Sequence, residues 1–190
     1  MKIVLASGSP RRKELMEMLG VDDLVIMPAK GEEIAVPGRG PEETVMALAA
    51  AKAAEVAAKC AAEDVIVAAD TIVWLEGEIL GKPRDRADAV SMLRKLSGRT
   101  HTVYSGVTVM GRGAVLSETE ATRVSFRPLD AAEIAAYVDT GEPMDKAGAY
   151  AAQGKASLFV SGIGGDFFNV MGLPLCRLGR MLSKVGVKLI

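Results

Sequence analysis

Val65 to Ala69 is a continuous apolar run of β-forming residues that ends in Asp70-Thr71, and Ile72-Val73-Trp74-Leu75 then leads to the turn signal Glu76-Gly77. A carboxylate at the end of such a strand is costly to bury alone. Asp70 therefore needs a cation, a metal or the exposed edge of a cleft. Strand ends beside loops are also where α/β proteins place their sites.

The rest of the chain supplies the other parts of an α/β fold. Ile3–Ala6 reads as a short buried strand, Ser7-Gly8-Ser9-Pro10 as a polar loop, and the segment from about Arg11 to Leu19 as a helix. Leu15, Met18 and Leu19 form that helix's apolar stripe, and Gly20 stops it. Leu24–Met27 is a second strand and Ala29–Gly40 a loop. Pro41 opens a long Ala-rich helix to about Ala62, with Glu42 and Glu43 placed to complement its dipole. Ala87–Leu96 is helical and ends at Ser97-Gly98. The alternating segments Thr100–Met110 and Val115–Phe126, joined by Gly111-Arg112-Gly113, form a long hairpin. Asp130 caps a helix through Val138 that closes at Gly141, Ser157–Val160 reads as a strand, and Pro174 begins the terminal helix. Alternating helices and strands with one long hairpin predict a mixed twisted sheet flanked by helices. With 190 residues and no linker or repeat, the chain reads as a single domain over 1–190, with two lobes around a central cleft.

The charge balance narrows the partners. Twenty-three Lys and Arg stand against 24 Asp and Glu, a net of -1, and no basic block accumulates, so there is no footprint for duplex nucleic acid. An aromatic content of 4% leaves little for stacking on single strands. A small anion needs only a few converging cations and stays open. No apolar run suffices to span a membrane. Met1–Ala6 is too short for a signal peptide, and the widely separated Cys60 and Cys176 fit a reducing compartment, so the expected location is the cytoplasm. His101 is the single histidine, which excludes a Ser-His-Asp triad or a His-rich metal site and leaves it a structural role.

The residues able to carry chemistry are few. Ser7-Gly8-Ser9-Pro10, between a strand and a helix that begins Arg11-Arg12, brings hydroxyls, guanidiniums and helix-start N–H groups toward one anion. The chain has no GxxxxGK[ST] phosphate loop, and Gly162-Ile163-Gly164-Gly165 is not a dinucleotide fingerprint. Lys52 in the Ala-rich helix and Lys82 in Leu80-Gly81-Lys82-Pro83 join Arg11 and Arg12 as positive charges suited to a triphosphate. Glu32 or Glu33 could join Asp70 in holding magnesium or manganese, ions that prefer oxygen ligands and substrate phosphates. Gln153 could read a base edge.

In this order, these pieces resemble the Maf family of nucleotide pyrophosphatases. The matching stretches are Leu5-Ala6-Ser7-Gly8-Ser9-Pro10-Arg11-Arg12-Lys13-Glu14-Leu15, the Glu33 region, Ala49–Ala53, Ala69-Asp70-Thr71-Ile72-Val73 and Leu80-Gly81-Lys82-Pro83. They continue with Leu96-Ser97-Gly98-Arg99-Thr100-His101-Thr102-Val103, Asp145-Lys146-Ala147-Gly148-Ala149-Tyr150 and Asn169-Val170-Met171-Gly172-Leu173-Pro174. The resemblance implies an inosine-triphosphatase-like fold and metal-dependent cleavage of a nucleoside triphosphate to its monophosphate and pyrophosphate, a house-cleaning role. By matching position, Asp70 would be the proton acceptor or a metal-associated carboxylate, with Glu33 assisting the metal. Ser7, Arg11, Arg12, Lys52 and Lys82 would contact phosphates. Arg12, Thr71 and Gln153 match the set that marks the dTTP/UTP branch. A homodimer is also implied. The family's other reading is a nucleotide-binding regulator of cell division with slow or no hydrolysis. Ser105-Gly106 departs from the more common Thr-Gly but keeps a hydroxyl.

Overall fold

The computed structural model describes residues 1–21, 23–31 and 38–190. Chain order is β1 (Ile3–Leu5), α1 (Pro10–Met18), β2 (Leu24–Ile26), α2 (Pro41–Ala57), β3 (Val65–Leu75), β4 (Glu78–Leu80) and α3 (Arg86–Leu96). It continues with β5 (Thr100–Gly111), β6 (Ala114–Phe126), α4 (Ala131–Asp139), β7 (Val160–Gly164), α5 (Phe167–Met171) and α6 (Leu175–Lys184). The described strands form a seven-stranded sheet in the order β2-β1-β3-β5-β6-β7, with β4 paired to β3. β1 runs parallel to β2 and β3, whereas β4 and β7 pair antiparallel with β3 and β6, so the sheet is mixed. No helix among the described residues is long and apolar enough to cross a membrane.

The chain divides into two compact units, one of Met1–Asp70, Ser105–Glu120 and Gly172–Ile190, the other of Thr71–Tyr104 and Ala121–Met171. In the first unit, Val4, Ala6, Ile66 and Ala68 from β1 and β3 pack with Ala53 and Val56 of α2. α2 crosses β5 so closely that a Cβ at Gly106 would fall 2.3 Å from the Val45 carbonyl oxygen. Only glycine permits that approach.

In the second unit, α3 and α4 bury Leu93, Leu96, Ile134 and Tyr137 against a cluster that includes Phe126, Tyr150 and Phe159. The aromatic rings meet edge to face, Phe126 with Tyr150 at 4.9 Å and Tyr137 with Phe159 at 5.1 Å. His101 lies inside this cluster at 2% exposure, its Nε2 2.8 Å from the Tyr150 hydroxyl oxygen. Its Nδ1 has no partner among the described residues. Burial pushes its pKa down to about 4, so the ring is neutral at pH 7 and serves the core, as expected.

Several local expectations change. Asp70 interrupts an otherwise apolar strand, as the runs on both sides of it imply, and does not end it: β3 continues through Asp70 and Thr71 to Leu75. In α1 the buried pair is Leu15 and Met16, and Met18 is exposed. α2 stops at Ala57 instead of Ala62, because the Asp64 carboxylate accepts from the N–H groups of Ala61 and Lys2 and draws the chain out of the helix. The Ser157–Val160 strand is not formed. Lys155–Leu158 is a 3-10 turn, and the strand is Val160–Gly164. The hairpin turn narrows to Arg112 and Gly113, both with positive φ (50° and 78°), the twist that two-residue hairpin loops favour.

Candidate active site

Register places the first two site segments side by side. Leu5 of β1 pairs with Val67 of the parallel β3, and the Ala6 N–H donates to the Val67 carbonyl at 2.8 Å. Ser7 stands in the loop that follows β1, two residues past Leu5, and Asp70 lies within β3, three residues past Val67.

Ser7 is buried. Its Oγ accepts from the Ser9 N–H and from Arg12 Nη1, each at 3.2 Å. Two donors fill the two lone pairs of a hydroxyl, so its own hydrogen is what Ser7 can still offer, the polarity an anion requires. The Nε of Arg12 donates to the Gly172 carbonyl at 2.8 Å. Two anchors on different edges fix the plane of the guanidinium. Gly172 has a φ of 110°, which side-chain-bearing L residues rarely adopt. It belonged to one of the matching stretches but carried no predicted role, because only a main-chain atom acts. Arg11, beside Arg12 in the first turn of α1, is half-buried.

α2 brings the next charge. Its buried face runs Val45, Ala49, Ala53, Val56, and Lys52 falls at the helical spacing of that stripe, i+7 from Val45. The lysine therefore points at the sheet and not at solvent. Its Nζ lies 2.6 Å from Asp70 Oδ1, with side-chain exposures of 17% and 8%. The apolar run around Asp70 thus holds its carboxylate against a cation, one of the three options open from sequence.

Thr71, Lys82 and Gln153 belong to the second unit. Thr71 is half-buried in β3, directly after Asp70. Lys82 is exposed, and the carbonyl of the preceding Gly81 accepts from the Gly148 N–H at 3.0 Å. Gly148 has φ of 68°, and a Cβ there would come 2.8 Å from Val73 Cγ2, so this glycine is needed on two counts. Gln153 is exposed on a turn closed by the Gly154 N–H donating to the Ala151 carbonyl at 2.9 Å. Glu33, with Glu32, lies outside the described residues. Among the described residues no three His, Cys, Asp or Glu side chains gather in a group that could hold a metal.

The family model for Maf-like proteins matches residues 2–185. The chain belongs to the Maf-like family. A protein of Pelotomaculum thermopropionicum named dTTP/UTP pyrophosphatase is 50% identical over 188 residues, 97% of this chain and 97% of its own length. One of the same name from Methanosarcina mazei is 47% identical over 98% of this chain and 95% of its own. Among solved structures, a HAM1 protein from Coxiella burnetii aligns with a TM-score of 0.51 at 16% identity, covering 97% of this Maf-like chain and 99% of its own. That likeness is one of fold. It agrees with the mixed α/β architecture that the resemblance implied.

Proposed function

We propose that this Maf-like chain hydrolyses dTTP and UTP to the monophosphate and pyrophosphate. The observation that carries the reading is the Lys52–Asp70 pair, a strand carboxylate held at 2.6 Å by an ammonium in the unit that also anchors Arg12 on Ser7 and Gly172. The names of relatives at 50% and 47% identity support the substrates.

In this reading the Asp70 carboxylate takes a proton from the water that attacks the α-phosphorus. The bond from that phosphorus to the bridging oxygen breaks, and pyrophosphate leaves with the electron pair. Lys52 keeps the carboxylate from rotating away. The Ser7 hydroxyl donates to a phosphate oxygen, and Arg11, Arg12 and Lys82 offset the charge that grows on the leaving group. Arg12, Thr71 and Gln153 discriminate the pyrimidine nucleotide.

The donor chemistry suits magnesium or manganese. The Asp70 carboxylate is a hard oxygen donor of the kind these ions prefer, and they take further oxygens from substrate phosphates and water. Asp70, with Glu33 as its partner ligand, would hold it. When bound, such an ion supplies positive charge to the polyphosphate oxygens. The same reading takes the protein as a cytoplasmic homodimer, which sedimentation of the purified protein tests.

The test of the reaction is a panel of standard and modified triphosphates, with and without chelator, with monophosphate and pyrophosphate followed together. Equal amounts of the two products from dTTP and UTP, lost on chelation, are expected. Inorganic phosphate as the primary product overturns the reading.

A further inference from the structure

The turn that carries Gln153 is held from below by two side chains to which the sequence assigned no role. Tyr137, on α4, and Glu142, in the 3-10 turn Glu142–Asp145, act as one device. The Tyr137 hydroxyl donates to Glu142 Oε1 at 3.0 Å and accepts from the Ala151 N–H at 3.2 Å. Glu142 Oε2 accepts from the Lys155 N–H at 3.2 Å. The two outer N–H groups of the segment 151–155 are thus tied to one hydroxyl–carboxylate pair. Inside them, the Gly154 N–H closes the turn onto the Ala151 carbonyl at 2.9 Å. Gln153 is the exposed residue at the tip.

The fit is tight enough to dictate sequence. A Cβ at Gly154 would stand 2.3 Å from Glu142 Oε1, so any other residue there evicts the carboxylate from under the turn. The phenol ring is itself fixed, edge to face against Phe159 at 5.1 Å. Hydrogen bonds to an ionised carboxylate are stronger than neutral ones, and a group held in its bound pose spares the ordering that binding otherwise requires.

We propose that Tyr137 and Glu142 are positioning residues for substrate selection, holding the main chain on both sides of Gln153 so that this residue is presented to the base. This rests on the reading of the chain as a dTTP/UTP pyrophosphatase. Neither residue touches substrate, so their removal acts through Gln153 on binding and leaves the phosphate chemistry of the first unit alone.

The experiment measures kcat and KM for dTTP, UTP and dGTP in Glu142→Ala and Tyr137→Phe, each in the native background and in Gln153→Ala, with thermal melts to follow folding. In the native background both variants are expected to raise KM for dTTP and UTP about tenfold, hold kcat within about twofold, and narrow the preference over dGTP. In Gln153→Ala they add less than about twofold, the non-additivity of residues acting through one group. Gly154→Ala reproduces Glu142→Ala. A further tenfold loss in the Gln153→Ala background, a fall in kcat at constant KM, or the same factor on all three nucleotides overturns the proposal. So does an unchanged KM in Tyr137→Phe, the variant least able to disturb folding. A native protein that turns over neither dTTP nor UTP removes the functional reading and the clamp's purpose with it, whereas an active native protein with indifferent variants removes the clamp alone.

Discussion

One buried polar pair from each unit, Lys52 with Asp70 and His101 with Tyr150, shows two opposite solutions to the same problem. In the first, Lys52 and Asp70 stand 2.6 Å apart and the lysine retains 17% exposure. In the second, His101 and Tyr150 are sealed at 2.8 Å, and the histidine gives up its proton instead of finding a counter-ion. Charge survives burial only with a partner and some access to water, and a group that needs neither can be packed like an aromatic. The difference separates an ion pair that keeps some contact with water from a pair packed as part of a core.

The sharpest way to break that contrast is Asp70→Asn. It keeps the volume and removes the proton acceptor, so kcat on dTTP should fall by about 10³-fold while circular dichroism stays native. A folded Asp70→Asn protein with full activity ends the assignment. Gly106→Ala attacks the packing that delivers Lys52 to the sheet. With a Cβ 2.3 Å from the Val45 carbonyl oxygen, it should lower stability by about 3 kcal/mol in urea melts, and a neutral result would mean that α2 can back away from β5.

The second unit is tested by pH. The folded pKa of His101 lies below its unfolded value, so the unfolded chain binds the proton more readily. The stability this represents is complete above about pH 6.5 and drains as pH falls toward about 4. With a single histidine in the chain, a loss of about 2 kcal/mol between pH 7 and 5 should vanish in His101→Gln. The paired carboxylates Glu55 and Glu133, held down to about 2, keep their contribution through this window and lose it only at lower pH. A slope unchanged in that variant would place the acid sensitivity elsewhere. The smallest effect is expected at the surface. Arg86 meets Asp139 at 2.7 Å with both side chains 59% exposed, and Arg86→Ala should move the melting temperature by about 1 °C or less.

What was legible in the sequence follows the range of the interactions involved. Pro41 with Glu42 and Glu43 announces α2, Asp130 and Glu133 form a complete capping box, and Asp70 stands out as a charge in an apolar run. These are local signals. β7 was missed because Ser161-Gly162-Ile163-Gly164 is poor in β-forming side chains and is a strand only through pairing with Arg123–Phe126. The contiguous Ser157–Val160 carries the stronger local β pattern, yet Ser157 and Leu158 fold into a 3-10 turn and only Val160 joins the strand. For the candidate site, the sequence names side chains, but it does not show the atoms that hold them. The carbonyls of Gly172 and Gly81, and the bare Cα of Gly106 and Gly154, leave no mark on a residue-type pattern.

The bond from Arg12 to Gly172 spans 160 positions of chain. During synthesis the loop that carries Arg12 is made 160 positions before the carbonyl that fixes its guanidinium. The first unit, threaded through three separate stretches of sequence, has no closed form until Gly172–Ile190 has left the ribosome. A nascent chain stalled before that point carries Arg12 and Ser7 yet lacks the carbonyl that sets the guanidinium in place.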